Sequence, residues 1–178
     1  MSETIAVTGA SGHLGANLVR MLLDAGQRVR VLVHRDTAAF QGLPLERAPG
    51  DTLDVASLRK AFEGVDTVYH LAAVITFQHR RDARAEAVNV SGTENVVAAC
   101  EECRVQRLVH VSCIQAFQSP PGAGVIDESC ALVEDAGAFP YDRSKAAGER
   151  FVRDAVDRGL NAVVVYPTAA LGPHDYRP

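Results

Sequence analysis

The segment that most constrains the fold lies near the start of the chain, where an apolar run, Thr4–Thr8, meets a helical pattern, His13–Ala25. The junction reads Thr8-Gly9-Ala10-Ser11-Gly12-His13-Leu14-Gly15. A strand that enters a helix across glycines brings backbone N–H groups toward one point, and the helix N-terminus adds partial positive charge there. The junction therefore predicts an anion site, lined by its glycines and by Ser11, His13 and Leu14.

Each glycine of this turn has a predicted role in holding a dinucleotide. Gly9 permits the tight turn, Gly12 lets a pyrophosphate approach the backbone, and Gly15 lets the helix pack close to the strand. The alternative is an ordinary turn with one packing glycine. The strand–turn–helix context favours the dinucleotide site over that alternative.

Apolar strands and amphipathic helices alternate along the rest of the chain. This order predicts a parallel sheet with helices on both faces, a three-layer doubly wound α/β fold with right-handed crossovers. The loop-rich stretch 115–140 is expected to border the site rather than to link domains. Strands are predicted at Thr4–Thr8, Arg28–Val33, Leu45–Ala48, Asp66–Leu71, Arg107–Ser112 and Asn161–Tyr166, and helices at His13–Ala25, Val55–Phe62, Ala85–Cys103 and Tyr141–Arg158.

Length and composition exclude several classes of protein. The 178 residues are expected to form one domain, residues 1–178, and a net charge of −4 with 6% aromatic residues argues against nucleic-acid binding. No stretch approaches the roughly 20 apolar residues of a membrane span. The first ten residues lack the basic and apolar regions of a secretory leader. We therefore expect a cytoplasmic protein with neither membrane nor nucleic acid as a partner.

The cysteines do not indicate a metal centre. Cys100 and Cys103 form a C-x-x-C pair, but no second ligand pair stands at the spacing of a zinc site. The pair also falls near the C-terminal end of a predicted helix, where the helix dipole opposes a thiolate. Helix packing is therefore the expected role of these two thiols, and no metal is predicted.

Four further motifs follow the glycine turn. They are His70-Leu71-Ala72-Ala73, Asn89-Val90-Ser91-Gly92-Thr93, Tyr141-Asp142-Arg143-Ser144-Lys145, and Tyr166-Pro167-Thr168 with Leu171-Gly172-Pro173. In this order they resemble the extended branch of the short-chain dehydrogenase/reductase superfamily, especially its epimerase-like, dihydroflavonol-reductase-like and hydroxysteroid-dehydrogenase-like members. The resemblance implies a Rossmann-like NAD(P)-binding domain in which the cofactor also contacts Leu71, Ala72, Ala73, Asn89, Pro167 and Thr168.

Tyr141 and Lys145 are the predicted acid/base pair. They lie four residues apart near the start of a predicted helix and so share one face. A phenol, with a pKa of about 10, is a poor base at neutral pH, and a nearby cation favours the phenolate. Such a pair can move a proton on or off an alcohol oxygen while a nicotinamide exchanges hydride with the same carbon. The resemblance implies that Lys145 also contacts the nicotinamide ribose.

The third catalytic position departs from the family pattern. The resemblance implies a Ser or Thr after the fifth strand, often the second residue of a Ser-Ser pair, and the alignment places Cys113 there. A thiol is a weaker donor than a hydroxyl. Neighbouring strand residues face opposite ways, so Ser112 takes that role only if the strand has already ended. Both Cys113 and Ser112 are therefore candidates for polarising the substrate oxygen.

The residues after the second strand bear on the choice of cofactor. His34 and Arg35 come first, and a guanidinium pairs bidentately with a 2′-phosphate, which favours NADP. Asp36 leaves NAD open, because an acidic residue there binds the ribose hydroxyls. Asp51 with Thr52 resembles the family's pair that frames the adenine.

The predicted function is hydride transfer between NADP(H) and a small carbonyl or secondary alcohol. An epimerase using the same residues and a non-catalytic dinucleotide sensor are the alternatives. The resemblance implies a substrate-binding lobe after the last strand, which this chain lacks after residue 178, so we expect binding with poor turnover. It also implies a homodimer through the two long helices. Each helix carries an apolar strip that either forms this contact or faces the sheet: Val96, Val97 and Cys100 on the first, and Phe151, Val152 and Ala155 on the second.

Overall fold

The structure, a computed structural model, describes residues 3–35, 38–76, 81–120, 122 and 124–175. Within these ranges six strands alternate with helices. The strands are β1 (Thr4–Thr8), β2 (Arg28–Val33), β3 (Glu46–Pro49), β4 (Thr67–His70), β5 (Arg107–Val111) and β6 (Ala162–Val165). The helices are α1 (His13–Asp24), α2 (Val55–Phe62), α3 (Ala83–Glu86), α4 (Gly92–Glu102) and α5 (Pro140–Asp157), with a π-helical turn, Ala87–Ser91, between α3 and α4.

The strands form one parallel sheet in the order β3-β2-β1-β4-β5-β6. The chain moves outward on one side from β1 to β3 and on the other side from β4 to β6. The direction therefore reverses between β1 and β4, where Thr8 pairs with His70. In sheets of this kind a ligand crevice forms at the carboxyl ends of the strands beside such a reversal.

Alternating strand residues serve two separate apolar cores. Ala6, Val68 and Leu108 point to the face covered by α2, α4 and α5. Val7 and Val31 point to the other face, which α1 covers over β1 and β2. The three-layer doubly wound fold predicted from the sequence is confirmed, with element ends within two residues of the predicted ones. The interior of the long helix differs, because its middle is a π-helical turn.

The apolar strips offered as a dimer contact face the interior instead. Val96, Cys100, Val152 and Ala155 are each 0% exposed and belong to the core between the helices and the sheet. Val97 is also buried there, and Phe151 packs against the same core. Of the two alternatives, a second chain or the sheet, the structure shows the sheet. An apolar helix face does not by itself say which neighbour covers it. The homodimer stays a prediction without these residues.

The cysteine pair has the environment expected of packing thiols. Burial raises the pKa of the Cys100 thiol and that of Cys103, so both thiols are protonated at neutral pH. Across the described ranges, no three side chains of the His, Cys, Asp or Glu type are grouped so as to hold a metal ion. Nor does any helix in the described part of the chain combine the length and apolar character needed to cross a membrane.

Candidate functional site

A cleft of about 1280 Å³ runs across the carboxyl ends of the strands. It is lined by the glycine turn, by the loops that follow β2, β3, β4, β5 and β6, and by the start of α5. Every site residue nominated from the sequence lines it except Asn89. Those residues are Gly9, Ser11, Gly12, His13, Leu14, Gly15, His34, Arg35, Asp51, Leu71, Ala72, Ala73, Ser112, Cys113, Tyr141, Lys145, Pro167 and Thr168.

The three glycines of the turn differ in how strictly the fold requires a residue without a Cβ. Gly9 has φ +67°, and a Cβ there would lie 2.4 Å from the backbone nitrogen of Ala72. A Cβ at Gly15 would lie 2.3 Å from the carbonyl oxygen of Gly9. Gly12, in contrast, has φ −76°, and the nearest atom to an added Cβ, the carbonyl oxygen of Gly9, is 3.3 Å away. The fold therefore requires Gly9 and Gly15 more strictly than Gly12, which lines the cleft.

The amino end of α1 supplies positive potential to that space. Gly12 caps the helix without a side-chain hydrogen bond, and the first turn carries no acidic residue. The partial positive charge of the helix end is therefore neutralised by no group of its own first turn. An anion in the cleft is favoured at this point.

A buried histidine links the glycine turn to α4. The Nδ1 of His70 lies 2.7 Å from the hydroxyl of Thr8, and its Nε2 lies 3.1 Å from the hydroxyl of Thr93. Because Thr93 donates to the carbonyl of Asn89, His70 donates from Nε2 and accepts at Nδ1. Burial lowers the pKa of His70 to about 3, so the ring is neutral. His110, whose ring centroid is 5.3 Å from that of His70, also has its pKa lowered well below the usual value by burial.

Asn89 does not line the cleft, but its hydrogen bonds support the residues that do. It lies in the π-helical turn and is 2% exposed. Its amide accepts from the N–H of Val74 at 2.8 Å and donates to the carbonyl of Val74 at 3.0 Å and to the hydroxyl of Ser144 at 2.9 Å. Ser144 in turn donates to the carbonyl of Tyr141. Asn89 was expected to contact the cofactor, but the structure places it as a support for the β4 loop and for the start of α5.

Tyr141, Lys145 and Cys113 meet at one corner of the cleft. The Nζ of Lys145 donates to the carbonyl of Val111 at 2.8 Å, and burial lowers the pKa of this lysine to about 8. Burial also raises the pKa of Tyr141, as does the adjoining Cys113, with which it is hydrogen-bonded. The pKa of the phenol is therefore raised and not lowered as expected, because burial dominates and the ammonium is bonded to a backbone carbonyl.

Ser112 and Cys113 have different partners although both line the cleft. The Ser112 hydroxyl donates to a carboxylate oxygen of Glu149 at 2.6 Å, and both side chains are buried. Cys113 instead contacts Tyr141. Burial raises the pKa of the Cys113 thiol, which keeps it protonated and able to donate weakly. Of the two candidates for the third catalytic position, the structure brings Cys113 to the phenol and engages Ser112 elsewhere.

The far end of the cleft carries the residues that follow β2 and β3. His34 Nε2 lies 3.2 Å from a carboxylate oxygen of Asp51. Arg35 is exposed and makes no ion pair with another described residue, while Asp36 lies outside the described residues. Thr52, which is buried, and Leu53, which is 45% exposed, both line the cleft beside Asp51.

Sequence reasoning also missed an apolar border near Tyr141. Ile75 follows β4, and Phe139 precedes α5. Both line the cleft and are 49% and 46% exposed. A large apolar residue in the loop after a strand, Ile75, and another directly before a helix, Phe139, were the available signal, since loops usually carry polar residues. The same border includes the polar side chain of Gln115.

Comparison with known proteins agrees with this arrangement. The family model of the NAD dependent epimerase/dehydratase family matches residues 5–178. "Sterol demethylase protein B" of Methylococcus capsulatus is 41% identical over 177 residues, which are 98% of this chain and 54% of that protein. "3 beta-hydroxysteroid dehydrogenase/Delta 5-->4-isomerase" of Mycobacterium tuberculosis is 33% identical and covers 96% of this chain and 48% of its own length.

A solved structure shows the same fold. A short-chain dehydrogenase/reductase superfamily protein from Agrobacterium tumefaciens with bound NAD superposes with a TM-score of 0.79 at 29% identity, over 92% of this chain and 48% of that one. The chain thus spans about half the length of the curated relatives it matches. The resemblance to extended short-chain dehydrogenases/reductases is confirmed by these matches. The chain belongs to the NAD dependent epimerase/dehydratase family.

Proposed function

We propose that this chain binds a nicotinamide dinucleotide along the cleft, with the pyrophosphate on the glycine turn. The observation that carries the proposal is Gly12, which lines the cleft although its φ does not require a glycine and an added Cβ would make one tight contact, 3.3 Å to the carbonyl oxygen of Gly9. The positive end of α1 adds a reason for an anion at the same point. A relative 29% identical holds NAD on the same fold, which supports the assignment.

The 2′-phosphate of NADP fits the far end of the cleft better than a bare ribose. Arg35 is exposed there without an ion pair among the described residues, and Asp51 is already engaged by His34. A free guanidinium pairs well with a phosphate. We therefore propose NADP(H) as the preferred cofactor, with NAD(H) bound more weakly.

The corner at Tyr141 supports hydride transfer between the dinucleotide and a carbonyl or secondary alcohol. When bound, the nicotinamide supplies or accepts the hydride. The phenol of Tyr141, protonated at neutral pH because burial raises its pKa, is suited to donate a proton to the oxygen of a reduced carbonyl. Lys145 uses one N–H on Val111 and has two further donors for ribose hydroxyls. Cys113 holds the position of the third donor.

A dinucleotide-binding module without turnover is the second candidate, and Cys113 is the observation that favours it. A thiol stabilises a developing oxyanion less than a hydroxyl does. An epimerase would use the same Tyr141 and Lys145 and differ only in the substrate.

Calorimetric titration with NADPH and with NADH tests the proposal directly. We expect saturable binding of both, tighter for NADPH. A folded chain that binds neither dinucleotide would refute the assignment of the cleft. NADPH oxidation in the presence of a panel of ketones then separates the two candidates. Binding without oxidation favours the module, whereas oxidation at an ordinary enzymatic rate favours the reductase.

A further inference from the structure

Glu149 is a buried acid on α5, one turn after Lys145, and it has no role in the proposed chemistry. Its side chain is 0% exposed. One carboxylate oxygen accepts from the Ser112 hydroxyl at 2.6 Å, and the other accepts from the Tyr166 hydroxyl at 2.7 Å and from Arg153 Nε at 2.9 Å. Burying an unpaired carboxylate costs several kcal/mol, so these three hydrogen-bond donors are needed to stabilise the carboxylate of Glu149 in the interior.

The donors come from three different elements that meet at the catalytic corner. Ser112 directly follows β5, Tyr166 directly follows β6, and Arg153 lies one turn further along α5. The residues on either side of Ser112 are Val111, whose carbonyl accepts from Lys145, and Cys113, which contacts Tyr141. Anchoring Ser112 to Glu149 therefore fixes both of these contacts to α5.

Glu149 also lies four residues after Lys145, so the two side chains share one face of α5. Burial lowers the pKa of Lys145, and Cys113 and the carboxylate of Glu149 act to raise it. The ammonium is buried and bonded to a neutral carbonyl. The other titratable groups around it are Tyr141 on α5, Cys113 after β5, the buried His70 of β4 and the buried His110 of β5. Burial keeps each of them neutral at pH 7, since it raises the pKa of the phenol and of the thiol and lowers those of the two imidazoles.

We propose that Glu149 is the positioning residue of this site, serving as the buried counter-charge of Lys145 and as the anchor of the β5 and β6 ends on α5. Its negative charge keeps Lys145 protonated in an otherwise neutral pocket, so that the ammonium is available to the phenol and to a bound ribose. The inference concerns the Tyr141–Lys145 pair of the proposed function, but its test needs no cofactor.

The sequence makes this test clean, because Lys60 and Lys145 are its only lysines. Lys60 is exposed on α2 and serves as the internal reference. In the protein labelled with ¹³C-lysine, the NMR signal of Lys145 is expected to titrate with a midpoint of about 8. In Glu149→Gln we expect that midpoint to fall by about one pH unit, the lower end of the effect of a nearby opposite charge. Ser112→Ala, which keeps the charge, should leave the midpoint within a few tenths.

A second variant keeps the proposal testable if Glu149→Gln does not fold. Arg153 is 43% exposed and pairs with Glu149. The double variant Glu149→Met with Arg153→Met removes both members of this pair, and apolar residues of similar volume are often tolerated in place of a buried ion pair. Glu149 lies closer to Lys145 along α5 than Arg153 does, by about 6 Å against about 12 Å of helix rise. The loss of the carboxylate therefore dominates, and the Lys145 midpoint should again fall.

Each outcome is decisive. An unchanged Lys145 midpoint in folded Glu149→Gln overturns the proposal and leaves Glu149 as a purely structural contact. If that variant is unfolded, an unchanged midpoint in the double variant Glu149→Met with Arg153→Met overturns it equally. Failure of the wild-type chain to bind NADPH would refute the proposed function but would leave the lysine titration, and the role of Glu149, unaffected.

Discussion

Replacing Gly12 with alanine should separate ligand binding from folding. The added methyl group meets only the carbonyl oxygen of Gly9, at 3.3 Å, and the backbone angles suit alanine. Alanine is a poorer N-cap than glycine, so we expect a loss of stability of at most about 1 kcal/mol. That corresponds to a decrease in Tm of about 2–4 °C for a chain of this size. The methyl group occupies the space proposed for the pyrophosphate.

The expected loss of binding follows from the contact removed. A hydrogen bond to a charged group contributes about 1.5–3 kcal/mol. Displacing the phosphate from the turn by Gly12→Ala should therefore raise the Kd for NADPH by about ten- to a hundredfold, and Gly12→Val should raise it further. Calorimetry gives the Kd, and circular dichroism melting gives the Tm. A wild-type Kd in folded Gly12→Val would refute the assignment of the turn.

Two other glycines provide matched controls. At Gly26, φ is +75° and no atom lies within 4 Å of an added Cβ, and the residue does not line the cleft. Gly26→Ala should cost about 1–2 kcal/mol in left-handed strain and leave the Kd unchanged. Gly9→Ala combines that strain with a contact of 2.4 Å to the backbone of Ala72. It should therefore lose well over about 2 kcal/mol, and a Gly9→Ala chain as stable as wild type would contradict the geometry.

Three further predictions concern other parts of the molecule. Arg35→Ala should raise the Kd for NADPH by about ten- to a hundredfold and leave that for NADH nearly unchanged in the same titration. An equal loss for both would show that Arg35 does not read the 2′-phosphate. At pH values below about 6.5, the ordinary pKa of histidine, His70 and His110 bind protons in the unfolded chain. In the folded chain they stay neutral, because both of their pKa values there lie well below about 6.5. Urea unfolding should therefore show stability falling by about 2 kcal/mol from pH 6.5 to 5.5, and constant stability would contradict neutral burial of the two rings. Cys113→Ser should raise the rate of NADPH-dependent carbonyl reduction by about tenfold or more, whereas Cys113→Ala should not; a slower serine variant would show that the thiol itself has a role.

The local part of the fold could be predicted from the sequence, because apolar periodicity and glycine placement act over a few residues. The runs Thr4–Thr8, Arg28–Val33 and Val55–Phe62 have the predicted bounds. The direction of Ser112 could not be predicted in this way. It depends on Glu149, which lies 37 residues away in the sequence and accepts a hydrogen bond from Ser112 only once α5 has packed.

The same limit applies to the helix faces and to Asn89. An apolar strip on α4 predicts burial, but either the sheet or a second chain could cover it. In the structure the sheet covers it. The amide of Asn89 matches a family motif, yet its partners, Val74 and Ser144, belong to separate elements. Sequence spacing locates such a residue along a helix without showing what stands opposite it.

The placement of α5 brings these contacts together. A Cβ at Gly148 would lie 2.2 Å from the carbonyl oxygen of Asn89, so α5 lies directly against the π-helical turn. From that line of contact, Ser144 reaches back to the Asn89 amide, while Glu149 reaches toward the ends of β5 and β6. Any helix places residues four apart on one face, so the spacing of Tyr141 and Lys145 does not by itself make a site. The close approach at Gly148, which a larger residue would prevent, sets the depth at which the phenol and the ammonium stand beside the cleft.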